Sequence, residues 1–189
     1  MYEAESGLYD PVGSEAALTS RLFDHAAVSN YSKIRKYINI ASGSPQDFTS
    51  NVVLLVAGGR VAEDARDPYS GLHPAWRASP FLHVIGWGWA PDSNEETKVY
   101  VRNNVTNVKG AAQKAMAPNT GGYMNEGDRL VPDWKQTFYG ANYDVHLSTK
   151  QGYDEDGLFF CPTCVGSDEW IDVPETPLCR VDWDEMRTR

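Results

Sequence analysis

The nine residues from Phe81 to Trp89 (FLHVIGWGW) leave the chain little conformational choice. Strict alternation puts Phe81, His83, Ile85, Trp87 and Trp89 on one side of an extended segment. Leu82, Val84 and two glycines fall on the other. Large rings opposite bare glycine backbone describe a strand with one face lined for contact and one closely approached. A second strand is expected from Asn51 to Ala57 (NVVLLVA), a continuous apolar run bounded by Gly58-Gly59 and therefore read as buried. Tyr37 to Ile40 reads as a further short strand, followed by a turn at Ser42-Gly-Ser-Pro45.

Helices fill the intervals. Ser14 is placed to cap a helix running to about Ala27, with Leu18, Leu22 and Phe23 as its apolar side. Ser93-x-x-Glu96 has the form of a capping box. Behind it Val101, Val105, Val108, Ala112 and Ala115 recur at three- and four-residue steps, giving one apolar stripe to about Ala117. Pro118 and Gly121-Gly122 end that helix, and Tyr123-Met-Asn125 reads as a short extended piece. Asp133 starts another helix, in which Phe138, Asn142 and His146 share one side and Tyr139, Tyr143 and Leu147 the adjacent one. From Asp154 the chain is acidic, Pro-interrupted and mostly irregular. The pattern is α+β, an antiparallel sheet covered by helices, with no βαβ alternation. No G-x-G-x-x-G or P-loop pattern is present.

A length of 189 residues suits one domain with a real core. Six Trp and ten Tyr suit a pocket wall or an interface as well as a core. Residues 151–185 carry ten acids against Arg180 alone, which argues against nucleic acid or an anionic membrane as partner. No apolar run is long enough to span a bilayer, and the first twenty residues do not read as a signal peptide. Asn30-Tyr-Ser32 and Asn104-Val-Thr106 are glycosylation sequons, so the compartment stays open. Of the three cysteines, Cys161-x-x-Cys164 could be a redox pair or half a zinc site. A Cys164–Cys179 disulfide, contributing ~3 kcal/mol through loop closure, is the preferred reading, and no metal site is expected.

Several segments occur in a telling order. They are Leu18-Thr-Ser-Arg-Leu-Phe23, Gly71-Leu-His-Pro-Ala-Trp-Arg77 with His83 beyond it, Ala117-Pro118, Gly122-Tyr-Met-Asn-Glu126 and Pro132-Asp-Trp-Lys135. Phe138-Tyr-Gly-Ala-Asn-Tyr143, Lys150, Tyr153-Asp154, Leu158-Phe159 and Cys164-Val-Gly-Ser-Asp-Glu-Trp170 follow. The series resembles the substrate domain and carboxy-terminal module of fungal berberine-bridge-type FAD-linked oxidases, in the vanillyl-alcohol-oxidase superfamily. The chain departs from the pattern at Glu155, where the family usually has Pro, and at Gly127-Asp128.

The resemblance implies a division into a partial substrate-binding domain (1–117), a berberine-bridge-type module (118–160) and an acidic, disulfide-stapled tail (161–189). It implies Tyr123 as the catalytic phenol, acting as or orienting a general base. Asn125, Asn142 and Tyr143 would be cofactor-facing, and His83, Trp87 and Trp89 would line the substrate side. The family's glycine-rich pyrophosphate loop and its flavin-tethering His and Cys are not in this sequence. The chain is therefore expected to be a subunit or fragment of such an oxidase, with FAD held mainly by another polypeptide and an alcohol, a sugar or a secondary-metabolite intermediate as substrate; a cut or truncated full-length enzyme fits the same reading. A redox-silent cyclase or binding partner on the same fold is the alternative.

Overall fold

The computed structural model describes residues 16–43, 47–56, 58–67, 69–173 and 176–181. Its elements are β1 (Ala16–Phe23), α1 (Tyr31–Ala41), β2 (Thr49–Leu55) and β3 (Phe81–Gly88), then α2 (Glu95–Asn104), a π-helical turn (Val105–Gly110) and α3 (Ala111–Met116). Next come α4 (Trp134–Phe138), α5 (Tyr143–Tyr153) and a two-residue pair, β4 (Trp170–Ile171) with β5 (Cys179–Arg180). The main sheet is antiparallel with β3 in the centre, in the order β1-β3-β2.

The strand expected at Phe81–Trp89 is β3, and its two sides are sorted as the alternation requires. Ile85 packs with Phe23, Tyr37, Ala41, Met116 and Ala117 beneath α1 and α3. Trp87 packs with Trp89, Val101 and Val105 beneath α2. On the opposite face Leu82 and Val84 meet Leu22 and Ala75, with Trp76, Tyr123 and Val56 against them. The fold is thus an α+β sheet covered by helices.

Three local expectations are corrected. Residues 16–23 form an edge strand rather than a helix, because tertiary pairing with β3 outweighs the helical spacing of Leu18 and Leu22. Among the described residues the helix next to that segment is His25–Val28, capped by Asp24 accepting from the Ala27 N–H at 2.8 Å; Ser14 lies outside the described residues. Tyr37 to Ile40 belongs to α1, whose Asn30 cap accepts from the Lys33 N–H. Finally, β2 is a strand as expected, but in this chain Val52, Val53, Leu54 and Leu55 are exposed rather than buried. Ala57 lies outside the described residues, as does part of the turn expected at Ser42–Pro45.

The long helix is capped one residue later than the box motif indicates, by Asn94 accepting from the Thr97 N–H at 2.9 Å. Its apolar stripe holds at Val101 and Val105 and then shifts. The π turn inserts one extra residue, so Lys109, Gln113 and Met116 are buried where Val108, Ala112 and Ala115 were expected. Lys109 turns this to use: its ammonium lies 5.1 Å from the Trp87 ring and donates to the Ile40 and Ala41 carbonyls, closing the end of α1.

The disulfide is Cys161–Cys164, not the expected Cys164–Cys179, and Cys179 is a free, exposed thiol on β5. A turn this short contributes only ~2 kcal/mol by closure, less than the loop first considered.

Candidate functional site

The site is built on the outer edge of β1, which the chain from Thr120 to Tyr123 covers. The Leu22 N–H donates to the Gly121 carbonyl at 2.8 Å, and the Thr120 hydroxyl to the Leu22 carbonyl at 2.6 Å. A Cβ on Gly121 would stand 2.6 Å from the Thr137 carbonyl and one on Gly122 2.7 Å from that of Ser20, so only glycine permits this approach. The Ser20 hydroxyl then clamps the next residue, accepting from the Tyr123 N–H at 2.9 Å and donating to its carbonyl at 3.1 Å. The phenol ring stands edge-on to Trp76, at 5.6 Å, over the Leu22–Leu82–Val84 patch.

Tyr123 and Asn125 meet, though not for the reason the sequence suggested. An extended segment would put them on one side by alternation; instead Met124–Glu126 is a 3-10 turn that swings Asn125 back. Its amide donates to the Tyr123 hydroxyl at 2.9 Å. Tyr123 is half-buried and Asn125 exposed, so the pair shows a phenol oxygen and a spare amide oxygen on the surface of the sheet.

Asn142 and Tyr143 lie in a second layer. The helix expected from Asp133 is broken at Gly140 (φ +58°) into α4 and α5, so the single-helix faces do not hold across it. Asn142 donates to the Leu72 carbonyl at 3.0 Å, and His146 also bonds the neighbouring Gly71 carbonyl. Tyr143 is buried; its hydroxyl donates to Asp168 at 3.1 Å and accepts from the Gly166 N–H at 3.2 Å. Asp168 also pairs with Lys135 at 2.7 Å, and that ammonium sits 4.7 Å from the Tyr143 ring. Burial works against the Lys135 charge, but the hydrogen bond and charge of Asp168 prevail and hold its pKa above the ordinary lysine value. Burial and the adjacent Tyr143 push Tyr139 up to about 12. The Tyr139 hydroxyl joins the layers, reaching the Met124 sulfur at 2.9 Å and the Thr163 carbonyl at 3.0 Å.

His83, Trp87 and Trp89 are not in this constellation. They occupy the helix-covered face of the sheet, opposite the Tyr123 side, and are buried there. His83 Nδ1 is hydrogen-bonded to the Tyr37 hydroxyl, and burial lowers its pKa to about 4, which keeps it neutral. Arg102 lies 5.3 Å from the Trp89 ring. Reading Phe81–Trp89 alone could not say which face the helices take. Sequence reasoning also missed Ser20, Trp76, Tyr139 and the Lys135–Asp168 pair, which touch or support the Tyr123 turn through contacts distant in sequence. Ser20 was hidden by reading β1 as a helix; nothing local marks the others. A cavity of about 280 Å³ lies beside the clamp, with Ser20, Arg21, Lys114, Asp133, Thr137 and Phe138 among its walls. Among the described residues no group of three or more His, Cys, Asp or Glu is placed to hold a metal ion.

Comparison with known proteins adds the family. Residues 122–165, which include Tyr123, Asn125, Asn142 and Tyr143, match the family described as berberine and berberine like. The chain is 46% identical over 179 residues to the FAD-linked oxidoreductase hmp9 of Hypomyces subiculosus, covering 95% of this chain and 28% of that protein. Among solved structures it is similar to the VAO-type flavoprotein MtVAO713 of Myceliophthora thermophila C1, with a TM-score of 0.87 and 53% identity, covering 94% of this chain and 31% of that one. It is also similar to MtVAO615 of the same fungus, with a TM-score of 0.74 and 27% identity, covering 87% and 30%. The chain thus spans less than a third of the length of these relatives. On the match around the Tyr123 turn and the shared fold, it belongs to the berberine-bridge-type FAD-linked oxidoreductases of the vanillyl-alcohol-oxidase superfamily.

Proposed function

We propose that this chain forms one wall of an FAD-dependent oxidase site and works against a second polypeptide that holds most of the cofactor. The observation that carries this reading is the Tyr123–Asn125 pair, displayed beside Trp76 on the less covered face of the sheet. On that face Leu18, Val52 and Leu54 are exposed around Gly86. A flat apolar surface with one phenol and one amide at its margin suits an isoalloxazine ring, whose faces are apolar and whose edges carry hydrogen-bonding groups. The same residues offer nothing for a pyrophosphate, which supports assigning that half of FAD to the partner. The outer edge of β2, which no other described strand pairs, is the surface we assign to that docking.

Bound there, the flavin would supply the two-electron acceptor for an alcohol, a sugar or a secondary-metabolite intermediate. In this reading Tyr123 holds the substrate hydroxyl and takes, or relays, its proton. Asn125 orients the phenol by donating to its oxygen. Trp76 and the Ser20 clamp fix the ring, and the aromatic wall excludes water.

The test is Tyr123→Phe in the complex of this chain with its natural partner, with flavin content and flavin reduction measured separately. Flavin should stay bound while its reduction by substrate slows by about 10²–10⁴-fold, the range for losing a general acid–base group. An unchanged rate removes Tyr123 from the chemistry. A complex that never carries flavin overturns the oxidase reading in favour of a redox-silent role.

A further inference from the structure

The Cys161–Cys164 pair sits where its redox state can reach the candidate site. The two cysteines bracket a turn closed by the Cys164 N–H donating to the Cys161 carbonyl at 3.0 Å, and both keep part of their surface on solvent. Across so few residues a disulfide removes little chain freedom, so loop closure alone is a weak reason for it. What it brackets is less ordinary. Thr163 has φ +61°, the one non-glycine residue with positive φ among the described residues. For a β-branched side chain that conformation is strained and persists only when its surroundings impose it.

The strained residue is also a contact. Thr163 is buried, and its carbonyl accepts the Tyr139 hydroxyl that reaches the Met124 sulfur, between Tyr123 and Asn125. On the far side of the turn the Ser167 N–H donates to the Cys164 carbonyl and the Gly166 N–H to the Tyr143 hydroxyl. The turn therefore rests on both tyrosines that back the Tyr123 loop.

We propose that Cys161–Cys164 is a thiol–disulfide exchange site whose state sets the order of the Tyr123–Asn125 turn. A thiolate of an external small dithiol attacks one sulfur, giving a mixed disulfide and one free cysteine. Its second thiolate then displaces the other cysteine. The cysteines gain two electrons and two protons, and the dithiol leaves as a cyclic disulfide. With the cross-link open, Thr163 relaxes to negative φ, its carbonyl leaves Tyr139, and the Met124 contact loosens.

The experiment uses a Cys179→Ser chain in complex with its natural partner, so that only the two paired sulfurs report. The complex is equilibrated with reduced and oxidised dithiothreitol in stepped ratios, free thiols are trapped by alkylation, and masses are mapped by peptide. In parallel, amide exchange is followed over residues 123–127. Cys161 and Cys164 should be alkylated together and reversibly while the fold persists, and the amides should exchange about tenfold faster once they are. Alkylation only on global unfolding overturns the exchange site; reversible reduction with unchanged exchange overturns the coupling. The double variant Cys161→Ser/Cys164→Ser should show fast exchange in every buffer, and if it does not fold, reduction of the Cys179→Ser chain decides alone. None of these readouts depends on flavin turnover, so the outcome is separable from that of Tyr123→Phe.

Discussion

The two outer strands of the sheet are finished in opposite ways. Along one rung, Arg21 of β1 is 5% exposed and His83 of β3 6%, but Val53 of β2 is 62% exposed. On the next rung Leu22 is 0%, Leu82 1% and Leu54 39% exposed. Composition alone would rank them the other way. β2 (TSNVVLL) holds an unbroken run of large aliphatic residues, whereas β1 (AALTSRLF) is interrupted by Thr, Ser and the charged Arg21. The difference lies in what the chain supplies: Thr120–Tyr123 and the Arg21 bonds to Ala117 and Pro118 cover β1. Among the described residues β2 keeps an unpaired edge, and it has apolar side chains on both faces, the form of a surface that invites another chain. Hydrophobicity states that a residue needs a cover, not that this chain provides it.

The largest expected effect comes from removing the covered side. Leu22→Ala empties a fully buried site beneath the Tyr123 segment, and unfolding by denaturant should show a loss of about 2–5 kcal/mol. A loss below about 1 kcal/mol would mean that the β1 half is no better packed than the β2 half, and the comparison would break.

The same contrast explains what could be read in advance. β3 was legible because its alternation acts locally, and α2 because Val101 and Val105 mark its stripe, although its cap lies one residue beyond the motif. The register of α3 was not, since one π turn moves Lys109, Gln113 and Met116 inside without changing the 3.6-residue arithmetic before it. β1 was illegible because Leu18 and Leu22 fit a helix as well as a strand, and only pairing with β3 decides. At the site, Tyr123 and Asn125 stood out through the family pattern, whereas Ser20 and Trp76 act across 103 and 47 positions. The opposite placement of His83 depends on which face α1 covers.

His83 marks the boundary of the dry half, so pH sharpens the comparison. Its pKa is about 4 when folded, against an ordinary value near 6.5, because burial disfavours the cation. A depressed value means that the stabilising difference is complete above pH 6.5 and is lost as pH falls through 4. By linkage the whole difference amounts to roughly 3 kcal/mol. His73, lowered by burial as well, acts in the same direction, and the depressed Asp133 and Asp168 lose their contributions lower still. The His83→Asn difference isolates the one group: melts between pH 7 and 4 should fall less steeply than those of the unaltered chain. Parallel slopes would mean that His83 is wetter than its position indicates.

The smallest expected effect is the most telling one about β2. Val53 shares a rung and a face with His83 and Arg21 but lies beyond the helical cover and is exposed, so Val53→Lys removes little buried contact in this chain. Stability of the isolated chain should change by no more than about 0.5 kcal/mol, as for surface substitutions generally. A lysine there would also guard the edge against chance pairing, so the variant should stay monomeric to higher concentration. Capture of the proposed FAD-bearing partner should instead fall by at least about tenfold in pull-down or calorimetry, because a buried, unpaired ammonium is costly at a docked edge. A stability loss of 2 kcal/mol would show β2 to be core after all. Unchanged capture would move the docking surface elsewhere and leave the exposed valines and leucines of β2 without an occupant.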